Sequence, residues 1–300
     1  MIGRRFLVPG LSFCRRIPIL RQTSYRTSVS KVDALQSTSE VSSDDSIHTK
    51  HPNFNSLLAV AKSYGLDRNF LVESIEVNPN VLSVDPNRMD KVACQLTQFG
   101  FGKELLESIF THYPEICTTS TERLNDSLLF WSKANFGDRL MYGILNSHPE
   151  LIDKLDSSSS ERIRVLLPYL ESHKNIAVAI LNNPSVLFEA WETLEAKLEY
   201  LNSINIMSEK VAISGGLGLT LDQIKTRFEF LKRAGVYRDV QLKKKMLNKL
   251  NPKIEKILST NDEDFARNVA RLSLIEFETF TELYERQLEK EECGDLSDDD

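Results

Sequence analysis

Basic residues recur along this chain at a nearly constant interval. Arg162, Lys197 and Arg227 follow one another at 35 and 30 residues, each beside an apolar stripe, while Arg88 and Arg123 stand 35 residues apart upstream. A cation repeated once per structural unit can neutralise successive phosphates of a nucleic-acid backbone. The spacing therefore predicts a row of phosphate contacts. The alternative is that these long side chains only flank the apolar stripe and extend to water.

A second basic cluster, KRAGVYRDVQLKKKMLNKLNPK, occupies residues 232–253 and is denser than any upstream segment. The chain as a whole has 37 basic and 43 acidic residues, and without residues 1–31 and 282–300 the numbers are 28 and 34. This acidic balance argues against tight, indiscriminate binding to duplex nucleic acid. We expect the first contacts in the cluster itself, at Lys232, Arg233, Lys243, Lys244 and Lys245.

The sequence has no recognisable catalytic or metal-binding arrangement. Its four cysteines are scattered without a CxxC pair, no histidine lies at metal-ligand spacing, and the GxSxG, HExxH and Walker patterns are missing. Gly215, Gly216 and Gly218 form a glycine-rich patch, but no strand precedes it and the GxGxxG spacing is not met. We interpret the patch as a loosened junction between repeats. The sequence thus predicts a protein that is not an enzyme and binds no metal or cofactor.

Four proline segments reveal the elements that must position the basic residues. SIEVNPNVLSV, SIFTHYPEICTT, ILNSHPELIDKL and AILNNPSVLFE place Pro79, Pro114, Pro149 and Pro184 at steps of 35 residues. Apolar residues stand four before, two after and seventeen after each of them, and a further segment, LNKLNPKIEKIL, contains Pro252. A proline removes a helical hydrogen bond and clashes with the preceding turn. Each one therefore marks the end of a helix.

A fixed period of this length is typical of a solenoid. Each unit is predicted to contain an apolar-striped helix that ends at the proline, a short turn and a second helix of three to four turns. The fold class is all-α, a curved superhelix of about six units of about 35 residues over residues 51–258. Two closing helical segments are expected over 259–290, before an acidic disordered tail at 291–300.

The N-terminal segment has a different composition. Residues 1–31 contain seven basic residues and no Asp or Glu, which is typical of a mitochondrial or plastid transit peptide. The alternative is a merely basic tail. Residues 32–50 are Ser-rich and polar, which predicts a disordered linker. No apolar run long enough to span a bilayer is present in the sequence. We therefore expect a protein of an organelle matrix, with no membrane partner.

The repeated "apolar-x-x-x-P-x-apolar-apolar" turn, followed by helices such as TRFEFLKRAG and AKLEYLNSIN, resembles the mitochondrial transcription termination factor (mTERF) family. The resemblance covers residues 50–258. It implies a mitochondrial helical-repeat protein that binds nucleic acid without catalysis. The C-terminal sequence from Asn251 to Asp300 resembles the end of the family's fourth paralogue group, which also has an acidic tail.

Members of that group are associated with a ribosomal RNA cytosine methyltransferase and with assembly of the mitochondrial ribosome, whereas the founding group binds mitochondrial DNA and stops transcription. The resemblance thus implies ribosomal RNA, the large ribosomal subunit and an RNA cytosine methyltransferase as partners. DNA binding in transcription termination and a pure protein-interaction scaffold stay open as alternatives. We expect the partner surface on the last helix, where apolar residues recur at helical spacing: Leu274, Phe277, Phe280, Leu283, Tyr284 and Leu288.

Overall fold

The structure is a computed structural model that describes residues 51–239 and 251–294, with side chains described up to residue 290. The predicted transit peptide (1–31), the linker (32–50) and Lys243, Lys244 and Lys245 lie outside the described residues. In the described part of the chain the secondary structure is helical and no strand occurs. None of the helices found there is long and apolar enough to cross a membrane.

The α-helices of the described residues follow one another along the chain. Their bounds are α1 Phe54–Ser63, α2 Arg68–Val77, α3 Pro86–Phe99, α4 Lys103–His112, α5 Thr121–Lys133, α6 Asp138–Ser147, α7 Leu151–Lys154, α8 Ser159–Leu170, α9 His173–Asn182, α10 Trp191–Ser203, α11 Ser208–Ser214, α12 Leu221–Arg233, α13 Ile254–Ser259 and α14 Leu274–Gly294. A short helix over Asp262–Asp264 continues as a π-helix over Phe265–Ala270, between α13 and α14.

The repeats around Pro79, Pro114 and Pro184 each consist of a shorter α-helix, a 3₁₀ helix that begins at the proline and a longer α-helix. The predicted short turns are thus 3₁₀ helices, over Pro79–Ser83, Pro114–Thr118 and Pro184–Leu187. Proline suits the first position of a helix because the N–H that it lacks would have no partner there. The interpretation of the prolines as helix ends is therefore confirmed in these three repeats.

Two repeats depart from this pattern. After Pro149 the chain forms the four-residue α-helix α7 instead of a 3₁₀ helix. In the glycine-rich patch, Gly215 ends α11 with φ of 63°, and a 3₁₀ helix follows over Gly216–Gly218. A Cβ atom on Gly216 would lie 2.6 Å from Cδ1 of Leu258 on α13. The patch is therefore the repeat junction that we expected, and a close approach between repeats requires the glycine.

The core lies between neighbouring repeats, as in a solenoid. All twelve apolar positions predicted from the period are buried. They are Ile75, Phe110, Leu145 and Ile180 before the prolines, Val81, Ile116, Leu151 and Val186 after them, and Leu96, Trp131, Leu166 and Leu201 on the next helices. Together with the helical content, this burial confirms the predicted all-α repeat solenoid.

The C-terminal segment closes the array. The aromatic ring of Phe277 on α14 lies 5.0 Å from the rings of both Phe230 on α12 and Phe265 on the π-helix, measured between ring centroids. Helix α14 continues to Gly294, so the prediction that the tail begins at residue 291 placed the helix end too early. The sequence QLEKEE consists of good helix formers, which explains why the helix extends further.

Candidate nucleic-acid interface

Each of the five repeat cations donates a hydrogen bond to a backbone carbonyl of the following repeat, in or next to the short helix after the repeat proline or, for Lys197, in the glycine-rich turn. Arg88 contacts Thr118 at 3.3 Å, and Arg123 contacts Asp153 at 3.0 Å. Nitrogen-to-oxygen distances are 2.7 Å for Arg162 with Glu189, 3.1 Å for Lys197 with Leu217 and 2.8 Å for Arg227 with Ile257. We call Arg88, Arg123, Arg162, Lys197 and Arg227 the inter-repeat cations.

Helix geometry explains why residues at different sequence offsets make the same contact. Arg88 and Arg123 occupy the third position of their helices, Arg162 occupies the fourth, and Lys197 and Arg227 occupy the seventh. Positions three and seven lie one helical turn apart on the same face. A long basic side chain from either position therefore reaches carbonyls at the end of the neighbouring turn, which a helix terminus leaves without intrahelical partners.

Lys197 and Arg227 contradict the expectation that the basic row faces solvent. Both residues are only 4% exposed. The ammonium group of Lys197 lies 2.5 Å from Oε1 of Glu189, and the guanidinium of Arg227 lies 2.8 Å from Oδ1 of Asp262 and 5.0 Å from the ring of Phe265. Neither the phosphate-binding interpretation nor the alternative of extension into water describes these two residues, because internal groups already satisfy their charge.

Glu189 links two of these contacts into one continuous series of hydrogen bonds that spans three repeats. Its backbone carbonyl accepts from Arg162, while its carboxylate accepts from Lys197, which in turn donates to the carbonyl of Leu217. Within the described residues, Nη1 of Arg162 and Oε2 of Glu189 are buried and have no hydrogen-bond partner. This series of hydrogen bonds therefore leaves one donor and one acceptor unused.

Three cations in or next to the turns remain exposed. Arg88 and Arg123 are exposed although each uses one N–H on a carbonyl, and Lys154 follows directly after the carbonyl that accepts from Arg123. In the described part of the chain none of the three forms a salt bridge within 4.0 Å. We call Arg88, Arg123 and Lys154 the turn-edge cations.

The second basic cluster is largely outside the described residues, which leaves Lys243, Lys244 and Lys245 as predictions. At its start, Lys232 lies 2.7 Å from the carboxylate of Asp239. Arg233 pairs with Glu229 at 2.9 Å and covers the rings of Phe280 and Tyr284 at 5.2 and 5.6 Å. Both side chains thus have partners within the protein, so a phosphate would have to compete with them.

A buried carboxylate, which sequence reasoning missed, fixes the turn that carries Lys154. Asp153 is buried and accepts from the hydroxyl of Tyr113, at 3.1 Å, and from that of Thr119. Burial, and after it the nearby carboxylate of Asp153, raises the pKa of Tyr113 above its ordinary value. The phenol therefore stays protonated and donates. The sequence offered no signal, because Tyr113 and Thr119 precede Asp153 by 40 and 34 positions.

The residues predicted to bind a partner face in different directions. Phe277 is buried, and Phe280 packs on Phe230 and stacks on Tyr284 at ring distances of 5.1 and 5.5 Å. Leu274 and Leu288 are half-buried, while Leu283 is 58% exposed. Phe277, and largely Phe280, are therefore part of the closing contact and are covered by other side chains of the protein, whereas Leu283 stays accessible to a partner.

The remaining polar groups show little chemistry. Burial raises the pKa of the Cys117 thiol to about 12, so the thiol is protonated at neutral pH. Among the described residues, no group of three or more His, Cys, Asp or Glu side chains could hold a metal ion. The turn-edge cations thus form the candidate interface.

Paired α-helices joined by proline-initiated 3₁₀ turns define the chain as an all-α helical-repeat protein. The mTERF family matches residues 11–266, and the chain therefore belongs to the mTERF family. The chain is also 22% identical, over 207 residues, to the protein named Transcription termination factor 4, mitochondrial, of Mus musculus. That alignment covers 68% of this chain and 60% of the mouse protein, so the chain spans less than two thirds of the relative's length.

Proposed function

We propose that this chain is a non-catalytic protein of the mitochondrial matrix that binds ribosomal RNA and recruits an RNA cytosine methyltransferase during assembly of the large ribosomal subunit. The observation that carries the proposal is membership of the mTERF family over most of the chain, with a mouse relative named as a mitochondrial factor. The basic, acid-free composition of residues 1–31 supports import. The proposal includes membership of this chain in the fourth paralogue group of the family.

The turn-edge cations are the RNA contacts that we propose first. Arg88, Arg123 and Lys154 are exposed and have no carboxylate within salt-bridge distance in the described part of the chain. They come from neighbouring repeats, so they can contact successive phosphates of one strand. In this proposal Lys197 and Arg227 stabilise the fold and do not bind RNA, because Glu189 and Asp262 already neutralise their charges.

A second candidate is binding of mitochondrial DNA in transcription termination or regulation. The name of the mouse relative favours it, since that name refers to transcription termination. Crosslinking in intact organelles, followed by sequencing of the attached nucleic acid, distinguishes the two. Enrichment of ribosomal RNA supports the first candidate, and enrichment of a DNA segment supports the second. Crosslinks to protein with no nucleic acid enriched would instead indicate a pure interaction scaffold.

The contribution of the turn edge can be tested with matched triple variants. Replacing Arg88, Arg123 and Lys154 by Gln should weaken binding to single-stranded RNA and reduce the salt dependence of log K by about 2 units, at about 0.7 per phosphate contact. A control variant replaces three exposed lysines elsewhere, Lys62, Lys133 and Lys174, at equal loss of charge. An equal effect in both folded variants would contradict a specific role of the turn edge.

For the methyltransferase, we propose a surface on the outward side of α14. Ile275 is 73% exposed and Leu283, two helical turns further along, is 58% exposed. Replacing both by Ser should release a methyltransferase captured from organelle extract, while the fold stays intact. Capture at the wild-type level would exclude this side of α14 as the contact.

A further inference from the structure

A groove of about 550 Å³ includes the turn-edge cation Lys154 and lies between the start of α8 and the turn that precedes α10. Its lining includes Lys154, Arg162, Phe188 and Trp191. This volume is within the range of about 300–1,000 Å³ that is usual for small-ligand sites. The groove thus combines two cations with two aromatic side chains.

Phe188 presents an unusual exposed aromatic surface. It is 54% exposed and directly follows the 3₁₀ helix Pro184–Leu187, in which Val186 and Leu187 are buried. Trp191, by contrast, is half-buried and covered by the guanidinium of Arg162 at 5.5 Å. Phe188 is therefore the aromatic face in this groove that is free to stack on a ligand.

Arg162 supplies an unused hydrogen-bond donor at the same place. Its Nη2 donates to the carbonyl of Glu189 at 2.7 Å, which fixes the guanidinium, while its buried Nη1 has no partner within the described residues. A buried donor without a partner is costly, and such a group commonly marks a site that a ligand or a water completes. The ligand that fits here offers an acceptor oxygen or nitrogen.

The charges in the groove favour an anionic strand. Asp156 and Glu161 also line it, but Oδ1 of Asp156 accepts the N–H groups of Ser158 and Ser159, at 2.9 and 3.2 Å, and Glu161 pairs with Arg164. The exposed ammonium of Lys154 has no such carboxylate partner in the described chain. Together with Arg164, the groove therefore has three cations and two carboxylates, which leaves a net charge of +1.

We propose that this groove binds one unpaired nucleobase of a single-stranded RNA. The base stacks on the ring of Phe188, and an acceptor atom on the edge of the base accepts a hydrogen bond from Nη1 of Arg162. Lys154 contacts the adjacent phosphate. A base within a duplex is already stacked on both faces, so the site selects unpaired nucleotides. The inference rests on the proposed function, because it specifies which part of an RNA the turn edge holds.

The test measures binding of a fluorescein-labelled 12-nucleotide single-stranded RNA, and of the same sequence in a duplex, to the 300-residue chain. Phe188→Ala should weaken binding of the single strand about 5- to 100-fold, which corresponds to the loss of one stacked base, and leave duplex binding unchanged. Phe188→Tyr should retain the affinity. The matched control is Met207→Ala, which removes an apolar side chain that is 66% exposed outside this groove.

A second readout is independent of total affinity. With 2-aminopurine placed at successive positions of the RNA, wild type should quench one position by stacking, and Phe188→Ala should restore its fluorescence. If wild type and a folded Phe188→Ala variant show equal affinity and equal quenching, the groove does not bind a base, while the proposed function stands. Failure of wild type to bind any RNA overturns both.

Discussion

Single residues show that the partner of a cation decides its role. Lys197 and the exposed Lys154 are both lysines of the repeat array, but Lys197 has Glu189 and the carbonyl of Leu217 within hydrogen-bond distance. Removal of one member of a buried ion pair leaves the other charge without compensation. Lys197 should therefore affect the stability of the protein more than Lys154 does.

We predict that Lys197→Met lowers the free energy of unfolding by about 3–5 kcal/mol, the cost of breaking a buried pair. Lys174→Met, an exposed control on α9, should change it by less than about 0.5 kcal/mol. Urea denaturation measures both values. Because the pair acts as a unit, the double variant Lys197→Met, Glu189→Gln should cost less than the sum of the single variants. Additive costs would show that the two groups are not coupled.

Among the helices, α14 illustrates how one element can have two different faces. Its inward side supplies Phe277, which meets Phe230 and Phe265, and its outward side supplies Ile275 and Leu283. A repeat array needs a terminal element that covers the last apolar face. The inward side performs this closing role, and the outward side is available for a partner.

Phe277→Ala should lower the free energy of unfolding by about 3–5 kcal/mol, since it leaves a cavity beside two aromatic rings. On the same helix, Leu283→Ala removes an exposed side chain and should cost less than about 0.5 kcal/mol. Chemical denaturation of the two variants provides the comparison. Similar costs for both substitutions would mean that α14 does not close the core as described.

At the level of the whole molecule, the inter-repeat cations connect each repeat to the next. Stability in such an array is close to a sum of local terms and nearest-neighbour contacts, so damage at one interface should remain local. The chain from Arg162 through Glu189 and Lys197 to Leu217 ties together the repeats that contain α8, α10 and α12. This part of the molecule should depend most on the Lys197 contact.

Hydrogen exchange followed by mass spectrometry tests this locality. In the Lys197→Met variant, amides of α10, α11 and the Gly216–Gly218 turn should exchange faster, whereas those of α1 to α4 should keep their wild-type rates. The physical reason is that α1 to α4 share no contact with the altered interface. Uniform acceleration along the whole chain would indicate a single cooperative unit.

The sequence by itself determined the repeat, its helices and its core, because these follow from local rules. Proline ends a helix wherever it stands, and a helical period fixes which apolar residues share a face, so Ile75, Trp131 and Leu201 could be placed inside from spacing alone. The 3₁₀ form of the turns and the end of α14 were harder to predict from the sequence, since both depend on weak local preferences.

Only the tertiary structure decided what the basic residues do. Arg88 and Arg227 occupy the same face of their helices, yet one is exposed and the other is buried against Asp262 and Phe265. Their neighbours come from other repeats, up to 38 residues away along the chain, and spacing within a helix contains no information about them. The same holds for Arg162 and the exposed ring of Phe188, which line one groove only because two repeats pack together.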